Sequence, residues 1–141
     1  MKKIGLYPGT FDPITFGHLD IVRRASLIVD TLYVGIASNK NKKTLFSPSE
    51  RVEIVENCLK SSLKNIKNIK VVTFDTLTVK FCKNINASVI FRGLRVVTDF
   101  EYEFQLAGMN NRLDNKIQTI FLMADIENQL ISSNMVKEIA E

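Results

Sequence analysis

What the chain lacks narrows its function before any motif is read. Among its 141 residues there is a single histidine, His18, so a multi-histidine metal centre is excluded. Its two cysteines, Cys58 and Cys82, lie far apart in apolar-periodic stretches, with no second cysteine or histidine at ligand spacing. They read as buried free thiols. No apolar run approaches the roughly 18 residues of a membrane span. The N-terminal Ile4-Gly5-Leu6 soon meets Pro8 and Gly9, too short an apolar stretch for a signal-peptide core. A cytoplasmic protein without a membrane partner is the expectation. Repeats, low-complexity tracts and linkers are also missing, which points to one domain over residues 1–141. The net charge is +4, yet the dense basic clusters interleaved with aromatics that serve polyanion binding are not there. Lys60, Lys64, Lys67 and Lys70 read as a solvated face. Small phosphates fit this charge better than nucleic acid does.

What is present is a regular alternation. Ile4 to Tyr7, Leu32 to Ala37, Ile69 to Phe74, Ser88 to Phe91 and Thr119 to Met123 are short, nearly continuous apolar runs, as expected of parallel strands covered on both faces. Helical patterns separate them. Ser47-Pro48-Ser49-Glu50 is a capping box with proline at the first helical position, followed by Val52, Val55 and Leu59 on one face. Thr98-Asp99-Phe100-Glu101 reads as a second capping box, opening a helix to about Leu113. Other helices are expected from Gly17 to Val29, from Thr76 to Asn84, and from Ser132 or Ser133 to the end. Five strands alternating with five helices predict an α/β fold, a doubly wound five-stranded parallel sheet with helices on both faces. In such sheets ligands bind beyond the carboxyl ends of the strands, so the segments after each strand should hold the chemistry.

Those segments hold nearly all the unusual residues. The first runs Tyr7-Pro8-Gly9-Thr10-Phe11-Asp12-Pro13-Ile14-Thr15-Phe16-Gly17-His18. Its glycines permit close backbone approach, and its amides with the following helix N-terminus make an anion site. A protonated His18 in that first helical turn would oppose the helix dipole, a cost that makes sense if the ring faces a phosphate. After the fourth strand, Arg92-Gly93-Leu94-Arg95 offers two guanidiniums whose planar forks suit phosphate oxygens. Asp99 and Glu101 read as acids compensating a first-turn dipole, whereas Glu103 lies deeper and would reach a ribose hydroxyl or an arginine. In the second segment one of Lys40, Lys42 and Lys43 could hold an acceptor phosphate, and spacing does not select among them. Ser132-Ser133 alone is an ordinary serine N-cap.

Taken in order, Tyr7 to His18, Arg92-Gly93-Leu94-Arg95 with Asp99-Phe100-Glu101-Tyr102-Glu103, and Ile131-Ser132-Ser133 with Val136-Lys137-Glu138 give the chain its resemblance. It resembles the bacterial phosphopantetheine adenylyltransferase family, among the nucleotidyltransferases with an (H/T)xGH motif. The resemblance implies a Rossmann-like fold and AMP transfer from ATP to 4′-phosphopantetheine, with Mg²⁺ carried by ATP and a hexameric assembly. It implies that Thr10 and Phe11 contact ATP, Thr10 the acceptor as well, and that His18 stabilises the transition state. Lys42 and Arg92 would hold the acceptor, with Thr78 a further acceptor contact. Gly93, Leu94, Arg95, Glu103, Asn128, Gln129, Leu130, Ile131, Ser132, Ser133 and Asn134 would line the ATP site. Asn134 stands where the family generally has a third serine, although its amide can still hydrogen-bond. Asn128-Gln129-Leu130 replaces a more aromatic approach, and Glu141 ends the chain where relatives usually continue through another helix. On this reading His18 is a hydrogen-bond donor to the α-phosphate rather than a base. The alternatives are a related nucleotidyltransferase with another phosphorylated acceptor, and a non-catalytic nucleotide- or RNA-binding module.

Overall fold

A computed structural model describes residues 2–39, 43–95 and 97–124. Along them run β1 (Ile4–Gly9), α1 (Phe16–Ser26), β2 (Thr31–Ala37), α2 (Pro48–Ser62), β3 (Ile69–Phe74), α3 (Thr78–Ile85), β4 (Val89–Leu94), α4 (Val97–Leu113) and β5 (Gln118–Met123). The five strands form one sheet in the order β3-β2-β1-β4-β5, and every pairing is parallel. Chain order reverses between β1 and β4. The crevice beyond their carboxyl ends is therefore where this topology places a ligand. The expected helix at the C-terminus lies outside the described residues. Among the described residues, no helix is long and apolar enough to cross a membrane.

Successive strand residues point to opposite faces, and the two cores follow from that. Tyr7, Val34, Val89 and Phe91 join Val22 of α1 and Val55 of α2 in one core. Leu6 and Ile90 join Val79 and Cys82 of α3 in the other. Helices thus cover both faces, as the near-continuous apolar strands predict. Burial, and secondarily Asp114, pushes the Cys82 thiol up to about 12, so it stays protonated and unreactive. Cys58 departs from expectation in being only half-buried, at the edge of the first core.

Several boundaries differ from the sequence pattern for tertiary reasons. β4 continues past Phe91 because Arg92, Gly93 and Leu94 stay in register with Phe121, Leu122 and Met123 of β5. β1 likewise carries Pro8 and Gly9 alongside Gly35 and Ile36 of β2. α1 stops at Ser26 rather than Val29. There the Asn68 side chain donates to the carbonyls of Ser26 and Val29 at 2.8 and 3.1 Å, taking up groups that helix termini leave open. α3 starts two residues late, at Thr78, behind a Leu77 N-cap that makes no side-chain bond, and ends on Asn86 at φ 59°. α4 already includes Val97, so Thr98 is not its N-cap. The capping box at α2 forms as read: the Glu50 amide donates to Ser47 Oγ at 3.2 Å and the Ser47 amide to Glu50 Oε1 at 3.0 Å.

Candidate active site

The β1–α1 loop is built around Phe11. Its φ of 50° is left-handed, a region that costs a bulky residue about 1–2 kcal/mol. In return the ring is buried, edge-on to Tyr7 at 5.3 Å and to His18 at 5.0 Å between centroids. Gly9 makes room for it, since a Cβ there would stand 2.9 Å from Phe11 Cζ. The Asp12–Pro13 peptide that follows is cis.

Thr15 is the N-cap of α1 and His18 its third residue. The His18 amide donates to Thr15 Oγ1 at 3.3 Å, and the Thr15 amide donates to His18 Nδ1 at 3.0 Å. This is a capping box with histidine in the place usually held by Glu or Gln. It also settles the ring's tautomer. Because Nδ1 accepts a backbone N–H it carries no proton, so the neutral ring carries its proton on Nε2 as a donor. Burial, then the positive charges of Arg95 and Arg92, lowers the imidazole from 6.5 to about 4. A neutral ring also avoids the conflict with the helix dipole that a protonated His18 would bring. In the free chain near neutral pH this is a neutral N–H donor at a helix N-terminus.

Across the switch point, Arg92 ties three elements together. Its Nε and Nη2 donate to the two carboxylate oxygens of Glu103 on α4, each at 2.6 Å, and its Nη1 donates to the Pro8 carbonyl of β1 at 3.1 Å. Burial works against this guanidinium's charge, but the bonds from Glu103 outweigh it and hold the pKa above the ordinary arginine value. Of the two partners foreseen for Glu103, the arginine is the one it meets. Tyr7 lies in the same field, with burial pushing its phenol up. Arg95 is exposed just beyond β4. Gly93 leaves the space that Ile21 fills, since a Cβ would meet Ile21 Cγ1 at 3.2 Å. Leu94 has its side chain in the interior, and its carbonyl accepts the Ala124 amide at 2.8 Å.

The fold therefore gathers Thr10, Phe11, His18, Arg92 to Arg95 and Glu103 around the β1/β4 crevice. Thr78 is half-buried at the start of α3, in the segment after β3. Lys42 and the stretch from Asn128 to Asn134 lie outside the described residues. Sequence reasoning missed a buried polar pair beneath the loop. Asp12 accepts the amides of Leu45 and Phe46 at 2.7 and 2.9 Å. Arg51 Nη1 donates to the carbonyls of Thr10 and Ala37, also at 2.7 and 2.9 Å. Burial lowers the Arg51 pKa, and the charge of Asp12 works against that fall. One signal was available: Arg51 lies four residues before Val55, on the apolar face of its helix. Asn110, also missed, is buried two turns beyond Glu103 on α4.

Comparison with known proteins agrees with this geometry. The family model described as cytidylyltransferase-like matches residues 6–139. The phosphopantetheine adenylyltransferase of Pelagibacter ubique is 52% identical over 140 residues, covering 99% of this chain and 85% of that protein. The enzyme of the same name from Caulobacter vibrioides is 55% identical over 138 residues, covering 98% and 84%. Among solved structures, the nicotinic acid mononucleotide adenylyltransferase of Plasmodium falciparum superposes with a TM-score of 0.72 over 98% of this chain and 83% of that one. A putative nicotinate-nucleotide adenylyltransferase from Vibrio parahaemolyticus gives 0.67 over 98% and 86%. At 18% and 15% identity these two speak for the fold alone. The close relatives span nearly the whole chain, and with the (H/T)xGH helix start and the arginine pair in place, the chain belongs to the phosphopantetheine adenylyltransferase family.

Proposed function

We propose that the chain transfers AMP from ATP to 4′-phosphopantetheine, releasing pyrophosphate and forming 3′-dephospho-coenzyme A in cytoplasmic coenzyme A biosynthesis. The observation that carries the mechanism is the fixed Nε2–H donor of His18 beside the Phe11 loop and the Arg92–Glu103 pair. An acceptor phosphate oxygen attacks the α-phosphorus of ATP in line, and the bond to the pyrophosphate leaving group breaks. A phosphate is already a competent nucleophile, so a base adds nothing, and a histidine lowered to about 4 suits donation at neutral pH. Catalysis then rests on alignment and on stabilising charge at the α-phosphate and the leaving group. His18 donates to the α-phosphate and Arg95 faces the departing pyrophosphate. Thr10 and Phe11 serve ATP and the acceptor, while Arg92, Lys42 and Thr78 serve the acceptor.

Both oxygens of Glu103 face Arg92, and among the described residues of the crevice His18, Arg92 and Arg95 offer N–H donors. Such a donor set suits phosphate oxygens better than a cation, so Mg²⁺ belongs with ATP, where it supplies charge neutralisation to the leaving group. A homohexamer is part of the same proposal. Its support is α4, which exposes Tyr102, Phe104 and Met109 at 65%, 63% and 63%, an apolar surface suited to contact between copies. A native mass of six chains is expected, and one chain would overturn that part.

A panel of phosphorylated acceptors tests the activity through pyrophosphate release. Release that needs ATP, Mg²⁺ and phosphopantetheine together is expected. Preference for nicotinate mononucleotide or an alcohol phosphate would replace the acceptor, and no release with any acceptor would overturn the reaction.

A further inference from the structure

Arg51 and Asp12 are among the most deeply buried side chains, 2% and 1% exposed, and the transfer chemistry uses neither. Both bond to backbone. Arg51, in the first turn of α2, closes the Thr10 carbonyl after β1 and the Ala37 carbonyl at the end of β2 onto one nitrogen, at 2.7 and 2.9 Å. Asp12, two residues beyond Thr10, takes the amides of Leu45 and Phe46 at 2.7 and 2.9 Å, just before the Ser47 cap of α2. The two charges thus draw four backbone groups from three segments to one place under the β1–α1 loop.

Stability alone is a weak reason for such a pair, since well-packed apolar replacements of buried charges are often neutral or stabilising. A backbone that must be held in one conformation is a better one. Phe11 sits between Thr10 and Asp12 at φ 50°, and strained residues persist only where their surroundings over-determine them. The carbonyl before Phe11 is fixed by Arg51 and the side chain after it is fixed by two amides. The pair therefore holds the strained residue from both sides.

We infer that Arg51 and Asp12 are positioning residues, which set the Thr10–Phe11 backbone against His18 and so align the two phosphates for transfer. This rests on the proposed assignment of the Thr10–His18 loop as the phosphate site. Misplacing reacting groups by about 1 Å costs on the order of 10²-fold in rate, so turnover is the sensitive readout.

The test uses Asp12→Asn and Arg51→Lys in the full chain. Asp12→Asn keeps the shape but turns one acceptor into a donor facing an amide N–H. Arg51→Lys keeps the charge but loses the planar fork. Turnover is measured well below each variant's melting temperature, beside native mass and the KM for each substrate. Folded variants with turnover down about 10- to 100-fold, and KM values changed far less, are expected. Folded variants that melt earlier but turn over within about twofold of the parent would make the pair merely structural and overturn the inference. Should Asp12→Asn not fold, Arg51→Lys decides. A parallel His18→Ala variant separates the two layers. If it too turns over normally, the loop is not the phosphate site. If it alone fails, only the positioning role is lost.

Discussion

Two regions meet at the crevice, and they are stabilised in opposite ways. At the start of α1 the decisive bonds are local. Thr15 and His18 satisfy each other within one helical turn, and Phe11 packs into the core beneath them. In the β4–α4 region Arg92 depends on Glu103, eleven residues on and in another element. The helix carrying Glu103 is inverted. It buries Glu103 and Asn110 while exposing Phe100, Tyr102, Phe104 and Met109. An amphipathic helix gains most of its stability by packing its apolar face, and α4 turns much of that face outward. The start of α1 is thus set by its own sequence, although the loop before it is held by Arg51 and by the amides of Leu45 and Phe46. By contrast, α4 rests on the Arg92–Glu103 pair and on Phe100 tilted against Phe121.

The largest expected effect falls on the locally capped side. His18→Ala removes the Nε2 donor together with the ring that meets Phe11 edge-on, and loss of one such donor costs on the order of 10²–10³ in turnover. Pyrophosphate release measures it, and circular dichroism is expected to show the fold intact. Near-normal turnover would move the chemistry to the arginine side and reverse the comparison.

The second effect is on pH dependence, and its sign follows from the lowered imidazole. The unfolded chain takes up the His18 proton near 6.5, while the folded chain resists it down to about 4. Stability from this group is therefore complete above about pH 6.5 and is lost as the pH falls through 4. It amounts to at most about 3 kcal/mol. Denaturant midpoints at several pH values, compared with those of a non-titrating His18→Gln variant, isolate it. Because Arg95 contributes to the shift, Arg95→Ala should raise the His18 midpoint in an NMR titration. A parent midpoint above 6 would show that the two regions do not share a field.

Much of this was legible in the sequence, for reasons that also mark the limits. The near-continuous apolar strands could only pair in a sheet covered on both faces, and the Ser47-Pro48-Ser49-Glu50 box fixed the start of α2 by local chemistry. The crevice was readable because parallel topology sends every post-strand segment to one edge. What escaped depends on contacts distant in sequence. Pairing with β5 carries β4 through Gly93. Burial of Arg51 needs carbonyls from two other segments, and the neutral state of His18 comes from its burial in the fold and then from two arginines more than seventy residues away. The inversion of α4 was hidden because its acids resembled ordinary first-turn dipole compensation.

Glu103→Gln probes the dependent side. A neutral amide can accept from only one edge of the Arg92 fork and leaves a half-buried guanidinium underpaired. Breaking a fully buried pair costs about 3–5 kcal/mol. Arg92 is a quarter exposed along its side chain, so a loss of about 2 kcal/mol is expected after screening. Denaturant unfolding reads the stability, and the KM for the acceptor should rise as Arg92 loses its orientation. A variant as stable as the parent would show that α4 is held by other contacts, and the contrast between the regions would weaken.

The smallest effect tests whether the local side is as self-sufficient as its bonds suggest. Thr15→Ala deletes the N-cap oxygen that accepts the His18 amide at 3.3 Å, and losing such a cap costs about 1 kcal/mol. The bond that fixes the ring is a different one, from the Thr15 backbone amide to Nδ1, and alanine retains that amide. Stability should therefore fall by about 1 kcal/mol while turnover changes by less than about threefold, a small fraction of what a lost catalytic donor costs. A turnover loss approaching that of His18→Ala would mean that the threonine hydroxyl, 3.2 Å from Nδ1, orients the imidazole. The histidine would then be held by a side chain, and the helix start could not be credited with setting its tautomer through backbone alone.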